Sequence, residues 1–357
     1  MNKLTITIII LSVVFNLSCN SKQNGKEKNS AVQKITFIEN SDNKSIDVLA
    51  DGKPFTTFRW PDNICKPVLY PVFAASGTEV TRGYPIQPKA GERADHPHQI
   101  GVWLTYGNVN GNDFWGNGSQ GLGTKNPNGG VIRHLQIENL KGGEGSGKFV
   151  SSESWVDTAG IGLLKEQTEY HFIATGNTRI IDRFTTLTAG EKDVEMTDTK
   201  EGMFGIRLAR QLELPTNGMV ELYNAEGTIT KVKDTLNIGI NGNYISSEGI
   251  TGEAVWGTRA KWMKLDGKIG DEQLSVVICD HPKNPNYPTY WHARGYGLFS
   301  ANPLGVKDFT KGADSLNFSI YAGKSATFRY RVIIASGTHL TEQEINAFSE
   351  EFALIKE

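Results

Sequence analysis

The stretch KFVSSESWVDTAGIGLLKEQTEYHFIATGNTRIIDRFTTL, residues 148–187, decides the fold class. Apolar and polar residues alternate with a period of two over 148–157, 163–174 and 179–187. That is the pattern of strands with one buried face. Thr168, Tyr170, Phe172 and Thr185 are residue types that suit a pleated surface. Asp157-Thr158-Ala159-Gly160, Thr175-Gly176-Asn177 and Ala189-Gly190 punctuate the runs as turns. Outward from this stretch the same rhythm recurs at 35–38, 45–49, 54–58, 273–279, 315–321 and 325–335. Only one segment reads as a helix. Thr341-Glu342-Gln343-Glu344 is a capping box, and Ile345, Phe348, Phe352 and Ile355 then share one face. The expectation is an all-β fold, an antiparallel β-sandwich with one C-terminal helix, in a single domain over residues 34–357.

The chain has 357 residues, with 37 Lys and Arg against 39 Asp and Glu and a formal net charge of −2. It lacks the basic excess that non-specific nucleic-acid binding requires. Hydrophobic residues at 38% and charged residues at 21% exclude a wholly disordered chain. Residues 1–18 read as a lipoprotein signal peptide. Lys3 supplies the positive region, and the apolar run from Leu4 to Phe15 is too short for a permanent span. Ser18-Cys19 resembles a lipobox, although Asn16 stands where a Leu is usual, so Cys19 is the expected lipidation site. Residues 19–33 are polar and read as a flexible tether. The implied location is the bacterial cell envelope, lipid-anchored and facing the periplasm, with the lipid as the only membrane contact. Cys65 and Cys279 are open to a disulfide or to two buried thiols.

Two segments, 107–130 and 280–305, are too long and irregular for tight hairpins, and long loops on a sheet scaffold are where function usually sits. Just before the first lies Asp95-His96-Pro97-His98. In an extended segment His96 and His98 face the same side, the minimal beginning of a metal site. His134, in the strand-like run 131–137, is a candidate third ligand; Asp95, Asp113 and His292 are alternatives. The second loop carries His292, Arg294 and Tyr296, which alternate as on one strand face. They offer a proton acceptor, a fixed cation and an aromatic hydroxyl, a set suited to a hydroxylated or anionic substrate. In Lys200-Glu201-Gly202, Glu201 is a candidate acid or base, or else a turn carboxylate paired with Arg207. Trp103, Trp115 and Trp291 adjoin these clusters, and indole faces cover the C–H surface of a sugar ring. No Gly-x-Ser-x-Gly elbow, P-loop, His-Glu-x-x-His or helix-opening Gly-x-Gly-x-x-Gly occurs.

At these clusters the chain resembles a family of secreted bacterial proteins labelled "methane oxygenase PmoA". The resemblance rests on Asp95-His96-Pro97-His98 with Gly101, Trp103, Asn110-Gly111 and Asp113-Phe114-Trp115. It continues through Gly130 with His134, Lys200-Glu201-Gly202 with Arg207, and Trp291-His292 with Arg294, Tyr296-Gly297-Leu298-Phe299 and Asn302-Pro303, over roughly residues 45–350. Gln99 stands where the family often has a second histidine, so no role needing a third histidine there carries over. Particulate methane monooxygenase subunits are integral membrane proteins, whereas this chain has no apolar span after its signal. The family resembles secreted β-sandwich proteins of glycoside-using bacteria. The tail 315–337, with Ala322-Gly323-Lys324-Ser325 before Arg329 and Arg331, is similar to the last strands of galactose-mutarotase-like supersandwich proteins.

Together these readings imply a periplasmic carbohydrate-active lipoprotein, a hydrolase or lyase acting on a glycoside or an oxidised sugar. Catalysis falls to His96, His98, His292 and Glu201. Substrate binding falls to Arg207, Arg294, Tyr296, Trp103, Trp115 and Trp291. One divalent metal would be held by His96, His98 and His134. The partner is a carbohydrate or another small polyhydroxylated molecule, not a nucleic acid. Two other functions compete: a non-catalytic glycan-binding lipoprotein, which needs no titrating group, and a metal-dependent oxygenase, which needs redox-active iron or copper.

Overall fold

Strands that alternate apolar and polar residues must bury one face, and here two sheets bury theirs against each other. The computed structural model describes residues 31–118 and 126–355. The signal peptide, Cys19 and most of the tether lie outside the described residues. The first sheet has nine strands in the order Tyr290–Trp291, Leu298–Asn302, Gly202–Arg207, Val102–Tyr106, Val68–Val72, Lys53–Arg59, Ser45–Ala50, Lys34–Asn40 and Gly143–Glu144. The second has eight, in the order Asn243–Ser246, Trp262–Ile269, Glu272–Asp280, Ser325–Ser336, Thr178–Ala189, Gly162–Thr175, Ser146–Val156 and Val131–Lys141. The strand pairs in both are antiparallel. The expected all-β antiparallel sandwich is therefore observed, and no helix among the described residues is long and apolar enough to cross a membrane.

The inner faces meet through aromatic side chains. Phe204 stacks on Tyr330 at 4.7 Å, and Phe55 and Phe37 meet Phe172 and Phe149 edge-on at 5.8 Å. Gly162–Thr175 shows the strict alternation read from its sequence, with Leu164, Glu166, Thr168, Tyr170, Phe172 and Ala174 buried. Thr178–Ala189, by contrast, is buried on both faces. The reason is the C-terminal helix Glu342–Ala353, whose Ile345 and Phe352 pack with Ile180, Phe184, Val277 and Ile333 on the outer side of the second sheet. The capping box is present: Thr341 accepts from the Glu344 backbone N–H while the Glu344 carboxylate accepts from Thr341. A single helical turn, Val306–Phe309, is the other α-helical element among the described residues. The strand expected at 315–321 shrinks to Phe318–Ile320, which pairs with Val194–Met196 in a small separate ribbon. Cys65 and Cys279 are not joined by a disulfide.

The first sheet also has a covered outer face. Ile64, Val68, Tyr70, Ile100, Trp103, Trp115 and Leu298 form a satellite cluster there, apart from the inter-sheet core. Loops fold over this face rather than a helix, and the site is built in that layer.

One buried ion pair between two strands of the second sheet also holds the helix. Arg331 is fully buried and grips Asp182 with two hydrogen bonds of 2.7 and 2.8 Å, while its third nitrogen donates to the Phe348 carbonyl at 3.0 Å. Removing one partner strands a buried charge, at a cost of about 3–5 kcal/mol, whereas an apolar pair of similar volume recovers most of that loss. Arg331→Met is expected to lower stability in urea unfolding by that amount, and Arg331→Met with Asp182→Leu to restore most of it. Equal loss in the single and double variants would mean that the pair does not act as a unit.

Candidate active site

Three strands at the middle of the first sheet form the floor. In Val102–Tyr106, Gly202–Arg207 and Leu298–Asn302, the residues Val102, Leu104, Phe204, Ile206, Phe299 and Ala301 face the inter-sheet core. The pleat sends their neighbours the other way. Gly205 is in register with both Trp103 and Ser300, and Arg207 with Leu298, so these residues share the outer face. Gly205 is required here because a Cβ would lie 2.9 Å from the Trp103 ring.

Arg207 is fully buried in this floor and donates to Asp95 Oδ1 at 2.6 Å and to the Gln99 side-chain oxygen. Arg82, also buried, donates to the same Asp95 oxygen at 3.0 Å. Its remaining bonds go to the carbonyls of Arg93, Asp95, His96 and Gln99. Arg93 approaches the other Asp95 oxygen at 3.7 Å while donating to Glu213 at 2.6 Å. Burial opposes ionisation of Asp95, but Arg207, the His96 ring and Arg82 outweigh it and hold the carboxyl well below the usual carboxylate range. The turn pinned this way has a strained centre. His96 sits at φ +45°, a conformation costing about 1–3 kcal/mol outside glycine, and Gln99 N–H closes the turn on the His96 carbonyl at 3.0 Å.

The turn presents two imidazoles. His96 stacks face to face on Tyr296, with centroids 4.8 Å apart and planes within 4°, and the Arg207 guanidinium lies over the same Tyr296 ring at 4.8 Å. His98 lies 5.8 Å from His96 and is buried. Burial, followed by the charges of Lys66, His96, Arg207 and Arg82, holds His98 well below the ordinary imidazole range, so it is neutral at pH 7. Lys66 donates to the His98 carbonyl at 2.7 Å and lies over Trp103. Trp103 contacts Trp115, which stacks on His292 at 6.2 Å. Trp256 meets His292 edge-on at 6.5 Å, and Arg294 lies over Trp256 at 5.7 Å. Burial depresses His292 to about 4, against the opposing pull of Glu201 and a hydrogen bond to the Lys200 backbone. Burial likewise raises Tyr296, which keeps its hydroxyl proton at neutral pH.

A run of buried polar atoms here has no hydrogen-bond partner among the described residues. They are Nδ1 of His98 and of His292, Nε1 of Trp103, Trp115 and Trp256, and Nε of Arg207. Native interiors leave few such groups unpaired, and six of them fall in this one aromatic layer. Indole faces beside unpaired donors suit a molecule with both C–H faces and hydroxyls.

The structure thus brings together His96, His98, His292, Arg207, Arg294, Tyr296, Trp103 and Trp115, and sets Glu201 beside them. Glu201 pairs with Lys200 at 2.5 Å, not with Arg207, and acts electrostatically on His292 and Asp113. Asp113 spends one carboxylate oxygen on the N–H groups of Trp115 and Gly116. His292, Arg294 and Tyr296 converge through a turn at Arg294–Gly297 and not as one strand face. Two expected members are elsewhere. Trp291 points into the core, donates to the Ala260 carbonyl at 3.1 Å and packs on Phe299. His134 sits on the edge strand of the second sheet, with Trp60, Phe58 and Glu153 around it. The three-histidine ligand set is therefore not assembled, and no group of three His, Cys, Asp or Glu side chains suited to a metal occurs among the described residues. Asp95, next to the His96–His98 pair, is already taken by guanidinium groups. Sequence reading missed Arg82, Gln99, Lys66 and Trp256. Gln99 stands out only as the replacement of a histidine, and its bond to Arg207 spans 108 positions. Arg82, Lys66 and Trp256 lie outside the two polar clusters in sequence, so adjacency could not pick them out.

The chain belongs to the DUF6807 family, described as a family of unknown function, whose profile matches residues 45–350. That description carries no oxygenase label. No curated protein matches the sequence. Solved structures similar to it include the galactosidase domain of an alpha-galactosidase–sucrose kinase, at 11% identity and a TM-score of 0.37 over 84% of this chain and 41% of that one. This chain therefore spans about two fifths of that neighbour's length. A galactose mutarotase-like protein from Lactobacillus casei ATCC 334 is similar at 11% identity and a TM-score of 0.32, over 84% of this chain and 99% of that one.

The depressed His292 makes a stability prediction. Its folded value, about 4, lies below the unfolded imidazole value near 6.5, so the unfolded state takes up its proton first as pH falls. Stability present above about pH 6.5 is then lost progressively towards pH 4. Between pH 7 and 4.5 wild type should lose about 2–3 kcal/mol more than His292→Gln in urea unfolding. Parallel pH profiles for the two proteins would show that His292 is not held neutral by the fold.

Proposed function

We propose that the chain is a carbohydrate-active enzyme of lyase type, working by imidazole and phenol proton transfer on an oxidised or carboxylated sugar. The observation that supports this most is the pair of buried, neutral imidazoles, His98 and His292, each with an unpartnered Nδ1, in an aromatic layer bordered by Arg294 and Tyr296. An imidazole that is neutral at pH 7 is in the form that accepts a proton. Of the arginines, Arg294 is exposed and positioned over Trp256, available to a substrate carboxylate or carbonyl. Arg207 is committed to Asp95 and Gln99 and is a positioning residue for Tyr296.

Hydrolysis of the usual kind needs two carboxyl groups flanking the scissile bond. Here Asp95 is neutralised by arginines, Asp113 holds backbone N–H groups and Glu201 is held by Lys200. Elimination needs no such pair. An imidazole removes the proton on the carbon next to the carbonyl or carboxylate, and the C–H electrons form the new C=C bond. The C–O bond to the β substituent breaks, and the departing oxygen takes a proton from Tyr296. Arg294 stabilises the negative charge that develops on the carbonyl or carboxylate oxygens. No step passes through a metal. The amino-terminal reading adds the location: lipidation at Cys19 and a place in the cell envelope facing the periplasm.

The test is an assay of the purified protein against uronic-acid oligosaccharides and keto-glycosides, following ultraviolet absorbance of the conjugated product and, in parallel, new reducing ends. Unsaturated product should form, and His98→Ala and His292→Ala should each slow it by about 10²–10⁴-fold, with Tyr296→Phe affecting kcat more than KM. Reducing ends without unsaturation would replace elimination by hydrolysis. Binding without turnover, unchanged by the histidine variants, would make the protein a glycan binder.

A further inference from the structure

His134 is absent from the active site, yet it sits in a built environment of its own. A half-enclosed cleft of about 500 Å³ opens between the edge strand Val131–Lys141 and the loop after Arg59. Its walls include Trp60, Lys44, Lys66, Arg133 and His134. The Trp60 ring lies 4.1 Å from His134 and 5.3 Å from Phe58, so it is fixed from behind. His134 Nδ1 faces Glu153 Oε1 at 3.2 Å, which leaves Nε2 as the ring nitrogen that Glu153 does not engage.

The charges around this cleft do not cancel. Lys44 is paired with Asp62 at 2.5 Å, and Lys66, pushed down by burial to about 8, remains largely protonated at neutral pH. Arg133 is exposed and has no acidic partner among the described residues. Behind His134, burial and the neighbouring Glu166 push Glu153 well above the usual carboxylate range, so it brings no negative charge. Glu166 itself is bound by Arg183 at 2.7 Å. An indole wall, an imidazole and an excess of cations in one cleft match a small ring with C–H faces, hydroxyls and one carboxylate. We propose that this cleft is a second ligand site, taking a sugar acid with its ring against Trp60 and its carboxylate towards Arg133. It is distinct from the layer around His98 and His292 and does not depend on the chemistry assigned there; Lys66, which donates to the His98 carbonyl, is the residue the two places share.

Calorimetric titration of the full protein with galacturonate, in an Arg294→Ala background that removes the first site's carboxylate partner, tests the proposal. The expected result is one galacturonate per chain, weakened more than tenfold by Arg133→Glu and by raised salt, and bound more than tenfold more tightly than galactose. Arg133→Glu is an exposed change and should leave the circular dichroism spectrum unaltered; His134→Gln gives a second variant that should also weaken binding. Four results would each overturn it: no binding at millimolar galacturonate, affinity indifferent to Arg133→Glu and His134→Gln, equal affinity for galactose, or equal affinity for inorganic phosphate, which would make the cleft a generic anion site.

Discussion

The carboxylate of Asp95 is the constraint around which the active-site layer is organised. It stands among Arg82 and Arg93, from the same stretch of chain, and Arg207, from a strand 112 positions away. Arg207 rises from the floor of the first sheet, Arg82 threads the carbonyls of the turn, and Arg93 links onward to Glu213. Without the carboxylate, three guanidinium groups would crowd a largely buried volume with Glu213, the partner of Arg93, left to offset their repulsion. With it, they hold His96 in a left-handed conformation that the residue would not adopt alone, and His98 follows two residues later at the edge of the aromatic layer.

The same sandwich solves two covering problems differently. The outer face of the second sheet is closed by the C-terminal helix through Ile345 and Phe352, an apolar lid needing little more than the right face on a helix. The outer face of the first sheet is closed by irregular loops, whose backbone polar groups must be satisfied one at a time. Arg82 meets four carbonyls for that purpose, and Lys66 meets another. Loops held in this way can leave particular nitrogen atoms unpaired, as a helix packed by apolar contact cannot.

The fold was legible because alternation is a local property. Residues 148–187 announce their strands, and the capping box at Thr341 announces the helix. The active site was legible in part, since His96, His98, His292, Arg294 and Tyr296 lie in two short clusters that stand out in composition. Their partnership with Arg82, Gln99 and Lys66 was not legible, because contacts such as Arg207–Gln99 span 108 positions and leave no local pattern. His134 was grouped with the other histidines because spacing says nothing about which sheet a strand joins. The placing of Trp291 was available from alternation alone: if His292 faces the outer layer, the residue before it faces the core, where Trp291 is found.

The arginine cluster also bears on proton transfer. An imidazole in an aromatic layer is driven towards neutrality by loss of water, and positive neighbours drive it further the same way. Around His98 the charges of Lys66, Arg207 and Arg82 all act in that direction. Around His292, Arg294 and Lys200 do so while Glu201 resists. The groups that build the turn therefore also keep its histidine in the basic form, and stability and reactivity at this site are not separable by changing one arginine. Replacing Arg207 would remove the clamp on Asp95, the cation over Tyr296 and part of the field on His98 together. The sharper instrument is Arg294, which contributes to the field on His292 and lies over Trp256 but carries no buried ion pair that the fold depends on.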